Sequence, residues 1–144
     1  MEGAHLVVGV SLIALNLAAG VIGGIAWLRS RASIPFWYAL RAAQGAVFAQ
    51  ALLGGLLVLT GHEAPDDLHY VYGFGPLVVS FLAEGARTGA AEREIGDMDF
   101  EALPGDRQQS IALAIVRREM GIMAVSCWVI FFLALRAAGT SPVV

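Results

Sequence analysis

Four long stretches of apolar residues alternate with polar segments along this chain, and their lengths indicate its fold class. They predict helices at about 5–28, 35–60, 68–85 and 107–138, with a polar loop at 88–106 before the fourth. A helix of about 20 predominantly apolar residues crosses the hydrocarbon core of a bilayer. The pattern therefore predicts an all-α protein, an integral membrane four-helix bundle formed by a single transmembrane domain over residues 1–144.

The arginines predict how this bundle is oriented. Two arginines follow the first apolar stretch, Arg29 and Arg31. Five follow the third, namely Arg87, Arg93, Arg107, Arg117 and Arg118. Arg136 lies near the far end of the fourth. Because cytoplasmic loops collect basic residues, we expect the first and third loops to be cytoplasmic. The N-terminus and C-terminus then lie outside, in a multi-pass protein of the cell membrane that has the lipid bilayer as its surroundings.

Composition agrees with this fold class and excludes others. Residues are 58% hydrophobic and only 15% charged, whereas soluble domains carry about 25% charged residues. The net charge of −3 provides no basic surface for nucleic acid, so no nucleic-acid partner is expected. The single cysteine, Cys127, excludes a disulfide within the chain. The polar segment at 88–106 is expected to be a solvated connector or to hold a short interfacial helix near Phe100.

Polar side chains inside the predicted spans indicate contacts between helices or function. Arg41 and Glu84 both lie near the cytoplasmic surface and are expected to form a pair. Asn16 and Gln50 lie deeper, and we expect each to hydrogen-bond across helices.

Glycines remove side chains from several helix faces. Gly20 and Gly24 form a GxxxG pair, which is typical of close helix approach. Smooth glycine faces also admit a flat cofactor, and the sequence does not separate these two uses.

The three histidines are the sharpest chemical signal. His5, His62 and His69 all fall at the outer ends of predicted helices. The helices that begin at His5 and His69 both run inward, so their imidazoles should lie at a similar depth. Two such imidazoles on facing helices of a bundle are the arrangement that ligates a haem iron from both sides. Arg136, the only outer arginine, is positioned to neutralise a haem propionate.

Two other interpretations of these histidines stay open. His62, with a carboxylate from Asp66 or Asp67, could complete a zinc or copper site with the other two histidines. Alternatively, histidines collect at the membrane interface simply because it is wet.

A longer pattern resembles the haem A synthase family. The second predicted helix carries a glutamine, then a Leu-Gly-Gly and a closing Thr-Gly, and a histidine opens the next helix; these residues are Gln50, Gly54, Gly55, Thr60, Gly61 and His69. Upstream, Glu2 and His5 match the family's Glu-x-x-His at the outer start of an earlier helix. The resemblance covers roughly residues 2–75.

The resemblance implies a half-sized, four-helix relative, since typical members have eight helices. It implies that His5 and His69 ligate a haem iron and that Glu2 is the catalytic acid. Leu6 stands where the family usually has an arginine.

Three functions follow as hypotheses. The leading one is a membrane b-type cytochrome-like protein that binds haem through His5 and His69, for electron transfer or haem handling beside respiratory-chain components. In this hypothesis, four glycines leave room for the haem ring: Gly9, Gly54, Gly55 and Gly73. Two polar side chains, Gln50 and Asn16, lie beside the ring. The second is a compact haem A synthase-like oxidoreductase that oxidises a haem methyl group. The third is a haem-free structural subunit that packs against a larger membrane complex through its GxxxG face. The many small residues also favour a homo-oligomer.

Overall fold

The protein is an all-α bundle of four helices. The computed structural model describes residues 2–64 and 66–140, and these residues contain no β-strand. The helices are α1 (Glu2–Leu28), α2 (Ile34–Leu59), α3 (Asp67–Ile95) and α4 (Gly105–Ala138), with one 3₁₀ turn at Phe100–Ala102. The predicted all-α class and the number of helices are confirmed.

Side chains at the start of α2 and α3 explain why these helices begin where they do. The Ser33 hydroxyl accepts a hydrogen bond from the Phe36 N–H at 3.3 Å, and Pro35 follows in the first turn. The Asp66 carboxylate accepts one from the Leu68 N–H at 3.0 Å. Such caps satisfy backbone N–H groups that have no partner within the helix.

The third helix is longer than the sequence analysis predicted. A loop was expected at 88–106, but α3 continues to Ile95 and the connection to α4 covers only 96–104. The segment at 86–95 is rich in alanine, glutamate and arginine, which are good helix formers. In addition, Glu94 accepts a hydrogen bond from Arg118 of α4 at 2.5 Å. The helix ends at Gly96, whose φ of 53° favours glycine.

Three of the four helices, α1, α2 and α4, are long and apolar enough to cross a membrane. Helix α3 has 29 residues, but its apolar stretch is interrupted by polar and helix-breaking residues, including His69, Pro76 and Glu84. Among the described residues, three of the four predicted spans are therefore long and apolar enough to cross a membrane, and α3 is not among them.

The helices are arranged so that α1 and α3 lie diagonally opposite each other. Helix α4 packs along both α1 and α3, and α1 packs along α2, whereas α2 and α3 touch much less. Neighbours in the chain run antiparallel. We call the end of the bundle that contains Glu2 and Ala138 the terminal end, and the end that contains the α1–α2 connection the turn end.

Large apolar side chains cover the outside of the bundle, while small ones fill much of its interior. Leu59, Leu52 and Leu6 are 84%, 68% and 67% exposed, but Ala19 and Ala90 are fully buried. A helix of a water-soluble bundle instead turns its apolar stripe inward and its polar residues outward. The outer surface is thus suited to contact with hydrocarbon.

Glycines on α1 receive aromatic rings from neighbouring helices. A Cβ at Gly20 would lie 3.2 Å from the indole nitrogen of Trp128, and one at Gly24 would lie 3.9 Å from the same atom. A Cβ at Gly23 would lie 2.6 Å from Cδ2 of the Phe36 ring and closer still to Cε2. The GxxxG pair therefore accommodates a tryptophan of α4 rather than a helix backbone. Trp128 therefore occupies this face within the chain, and packing of the face against a larger complex stays a hypothesis.

Asn16 is buried, but it does not form the hydrogen bond across helices that the sequence predicted. Its side-chain amide donates to the Leu12 carbonyl of its own helix at 2.9 Å. The carbonyl four residues back is always within reach of a short polar side chain in a helix, so the local bond forms without a partner helix.

A charged cluster ties α2 to α3 near the turn end. Arg41 donates to Glu84 at 2.6 Å, and Gln44 donates to the same oxygen at 2.8 Å. Arg87 donates to the other Glu84 oxygen at 2.8 Å and also lies 3.7 Å from Glu119 of α4. The predicted pair of Arg41 and Glu84 is confirmed.

Candidate functional site

A cavity opens at the terminal end, between all four helices and the α2–α3 loop. Its volume is about 520 Å³, which lies within the range of about 300–1,000 Å³ usual for ligand and cofactor sites. Its walls include every histidine and four glycines: His5, His62, His69, Gly3, Gly9, Gly54 and Gly73. Most of the remaining wall is apolar. The cavity is therefore large enough for an apolar cofactor and carries the residues that could ligate one.

His5 and His69 face each other across this cavity. Their ring centroids are 6.2 Å apart, and the ring planes are tilted by 50°. Because α1 and α3 are diagonal neighbours, the two imidazoles approach from opposite sides of the bundle. The predicted proximity of these residues is confirmed. Two imidazoles whose nitrogens lie about 2 Å from one metal, on opposite faces of it, have centroids about 6 Å apart.

Gln50 reaches from α2 to hold the His5 ring. The Gln50 side-chain nitrogen lies 3.0 Å from Nε2 of His5. Since an amide nitrogen can only donate, Nε2 accepts and the imidazole proton is on Nδ1. This is the one bond across helices that the sequence analysis expected of Gln50. The close fit depends on glycine, because a Cβ at Gly9 would lie 3.1 Å from Gln50 and one at Gly54 would lie 3.4 Å from His5.

Two buried polar atoms at the same place have no hydrogen-bond partner among the described residues. They are Nδ1 of His5 and the side-chain oxygen of Gln50. Leaving a buried donor or acceptor unsatisfied costs about 1–3 kcal/mol. The cavity thus contains a donor and an acceptor that a bound molecule would satisfy.

His69 is oriented by α4. Its Nδ1 lies 3.2 Å from the Ala137 carbonyl oxygen and 3.3 Å from the Thr140 hydroxyl. An Nδ1–H that donates to a backbone carbonyl fixes the tautomer in which Nε2 carries the lone pair. This arrangement is typical of histidines that bind metals.

His62 and Glu2 lie at the mouth of the cavity. His62 Nε2 is 3.9 Å from a Glu2 carboxylate oxygen, and His62 Nδ1 is 3.1 Å from the Thr60 hydroxyl. The Glu2 side chain is 80% exposed. Within residues 2–64 and 66–140, no three or more histidine, cysteine, aspartate and glutamate side chains are grouped so as to hold a metal ion. The zinc or copper alternative therefore lacks a ligand set in this part of the chain, and Asp66 is used as a helix cap.

Two predicted cofactor-binding residues lie outside the cavity walls. Gly55 is not among the lining residues, and a Cβ there would meet open space. The Arg136 guanidinium lies 5.7 Å from the centroid of the Tyr72 ring. Tyr72 lines the cavity, so Arg136 contacts a residue of the cavity wall without lining the cavity itself.

The cavity wall contributed by α4 was not predicted from the sequence. Ala134, Ala137 and Ala138 also line the cavity. Small residues three and four positions apart share one helix face, and this spacing could have identified them. Pro76 of α3 also lines the cavity; it interrupts the hydrogen bonding of its helix because it has no N–H.

Comparison of the chain with protein-family models, with curated proteins and with solved structures finds no match.

Proposed function

We propose that this protein is a membrane-embedded, haem-binding four-helix protein, similar to a b-type cytochrome, with His5 and His69 as the axial ligands. Its role would be electron transfer or haem handling. The observation that carries the proposal is the separation of 6.2 Å between the two imidazole centroids, within a largely apolar cavity of about 520 Å³.

Membrane insertion is part of the proposal. It is supported by three helices long and apolar enough to span a bilayer and by the large apolar side chains on the outside of the bundle. The arginine distribution supports an orientation with both termini outside the cytoplasm. The histidine cavity then lies at the outer side of the cell membrane.

The residues present fit a porphyrin in their chemistry. His5 and His69 would bind the iron. Gly73, where a Cβ would meet open space, would leave room for the ring, while Gly9 and Gly54 make room for the Gln50 and His5 side chains. A bound haem supplies one-electron redox chemistry, which the protein tunes through its axial ligands and their hydrogen bonds. The Ala137 carbonyl holds the His69 ring in orientation and increases its basicity as a ligand.

Gln50 determines whether His5 can act as a ligand through Nε2. In the structure this nitrogen accepts a hydrogen bond from Gln50, so ligation requires the amide to turn away.

A visible absorption spectrum tests the proposal directly. The protein is purified in mild detergent, supplied with haem, and measured before and after addition of dithionite. We expect a low-spin spectrum whose Soret band sharpens on reduction. His5→Ala and His69→Ala should each lose it, and His62→Ala should retain it. A protein that shows no low-spin haem spectrum after haem is added and unbound haem is removed contradicts the proposal.

A matched pair of glycine variants tests the cavity. Gly54→Leu places a side chain against His5 inside the cavity, whereas Gly55→Leu adds the same atoms outside its walls. Haem uptake should fall strongly in Gly54→Leu and stay near wild type in Gly55→Leu. Equal uptake by the two variants would show that the haem lies elsewhere.

Glu2 supports a second candidate, a haem A synthase-like enzyme that oxidises a haem methyl group. Its carboxylate lines the mouth of the histidine cavity, where the resemblance places a catalytic acid. Glu2→Gln should abolish conversion of haem O to haem A and leave the spectrum of the bis-histidine site intact. Unchanged conversion by Glu2→Gln contradicts the enzymatic role of this residue.

A further inference from the structure

The connection between α1 and α2 forms a second, shallower pocket at the turn end. It has a volume of about 350 Å³ and is lined by Arg29, Arg31 and Ser33 together with Ile22, Ile25 and two alanines. Ser30 lies between the arginines with a φ of 52°. Backbone hydrogen bonds from Arg29 to Ile25 and from Arg31 to Ala26, both 3.0 Å, hold the connection in place. Both arginines therefore line one pocket.

Among the described residues, no carboxylate neutralises the positive charge of this pocket. No aspartate or glutamate occurs between Glu2 and Glu63, so the α1–α2 hairpin contains no carboxylate there. Within the described residues, neither Arg29 nor Arg31 forms an ion pair. Other arginines do, as in the pair of Arg118 and Glu94. The pocket thus presents two uncompensated guanidinium groups.

Apolar side chains of α1 line the pocket next to these arginines. The Ile22 and Ile25 side chains are 37% and 47% exposed and lie one to two helical turns from Arg29, toward the middle of the bundle. The pocket is therefore amphipathic, with cations at its base and hydrocarbon along its side. A small inorganic anion would contact only the base.

We propose that this pocket binds an anionic phospholipid. Its phosphate would contact Arg29 and Arg31, and an acyl chain would lie along Ile22 and Ile25. Guanidinium groups bind phosphate oxygens in a bidentate geometry, and basic pockets between helices on the cytoplasmic side hold anionic headgroups. The inference rests on the membrane placement proposed above and is independent of haem binding.

Native mass spectrometry of the detergent-purified protein tests the proposal. The protein is titrated with phosphatidylglycerol or with phosphatidylcholine, and the bound lipids are counted. The double variant Arg29→Gln/Arg31→Gln should weaken phosphatidylglycerol binding by about 30-fold, or about fivefold for each arginine. The matched control is Arg107→Gln/Arg117→Gln, which removes two exposed arginines of α4 that lie outside the pocket. It should bind lipid as the wild type does.

Several results would overturn the proposal. These are equal binding by the wild type and the Arg29/Arg31 variant, an equal loss in the control, or no preference over phosphatidylcholine. Inorganic phosphate is added as a competitor; if it displaces the lipid as completely as the double substitution does, the site recognises a free anion and not a lipid. Circular dichroism checks folding. If the double variant does not fold, the single variants Arg29→Gln and Arg31→Gln give the same measurement.

The haem proposal and the lipid proposal can fail independently of each other. The histidine cavity lies at the terminal end and the arginine pocket at the turn end. A protein that selects phosphatidylglycerol but stays colourless would refute only the haem site, and a haem-loaded protein without lipid preference would refute only the lipid site.

Discussion

The contact between Gly23 of α1 and Phe36 of α2 makes a sharp test of the packing of the bundle. Phe36 is fully buried, and its ring occupies the space where a side chain at position 23 would be. A Cβ built at Gly23 would lie 2.6 Å from Cδ2 and 3.0 Å from Cζ of that ring. Carbon atoms normally approach to about 3.5–4.0 Å, so either the ring or the helix must move in Gly23→Ala.

The size of the effect follows from two opposing terms. Forcing an extra methyl group into a well-packed core costs about 1–3 kcal/mol. Replacing glycine by alanine within a helix contributes about 0.5–1 kcal/mol of stability. Gly45→Ala isolates the second term, because a Cβ at Gly45, also in a helix interior, has no atom within 4 Å. The two variants should therefore differ by about 1–3 kcal/mol, or about 5- to 150-fold in the unfolding equilibrium constant.

The assay is unfolding of the detergent-solubilised protein by a denaturing detergent, followed by circular dichroism. Gly23→Ala should unfold earlier than the wild type, and Gly45→Ala at the same point or later. Phe36→Leu should lower the stability of the Gly23→Ala variant by less than it lowers the stability of the wild type, since the smaller side chain relieves the contact. Equal stability of Gly23→Ala and Gly45→Ala would refute the packing of α1 against α2 described here.

Three further predictions concern other contacts. Glu84→Gln should destabilise the fold by about 1–3 kcal/mol because Glu84 has two charged partners. The Arg41 side chain is 54% exposed, so Arg41→Gln should destabilise it by only about 0–1 kcal/mol; equal unfolding midpoints of the two variants would contradict this order. The Cys127 thiol is fully buried and should react with a maleimide only after unfolding, so rapid labelling of the folded protein, measured by mass spectrometry, would disprove its position. Gly121→Ala places a Cβ 2.8 Å from the Trp27 ring and should displace it, which a change in tryptophan emission would reveal and an unchanged spectrum would exclude.

The helices were the most predictable feature of the structure. The apolar stretches at 5–28 and 35–60 correspond closely to α1 and α2, because the length of a predominantly apolar run is a local property of the sequence. Contact between Arg41 and Glu84 was also predictable, since the assumed orientation placed both at the same depth.

The end of α3 was not predictable from hydropathy. The segment beyond Arg87 is polar and was expected to be a loop, yet it continues the helix to Ile95. Its polar residues carry high helix propensity, and α4 supplies Arg118 as a partner for Glu94. Hydropathy measures the preference of a residue for its solvent and does not report whether the backbone is helical.

The use of each glycine was decided only by the tertiary structure. Gly54 and Gly55 are adjacent and equivalent in the sequence, but only Gly54 lines the cavity. Adjacent residues on a helix point about 100° apart, so the rotation of α2 about its axis selects one of them. Gly20 and Gly24 likewise receive Trp128, a partner more than 100 residues away in the chain.

The sequence by itself determined four helices, their order and the shared depth of His5 and His69. The tertiary structure decided that these imidazoles turn toward each other, with centroids 6.2 Å apart, and that Gln50 and the Ala137 carbonyl hold them. The physical reason is that depth along a helix depends on position in the chain, whereas the direction of a side chain depends on how whole helices rotate to pack.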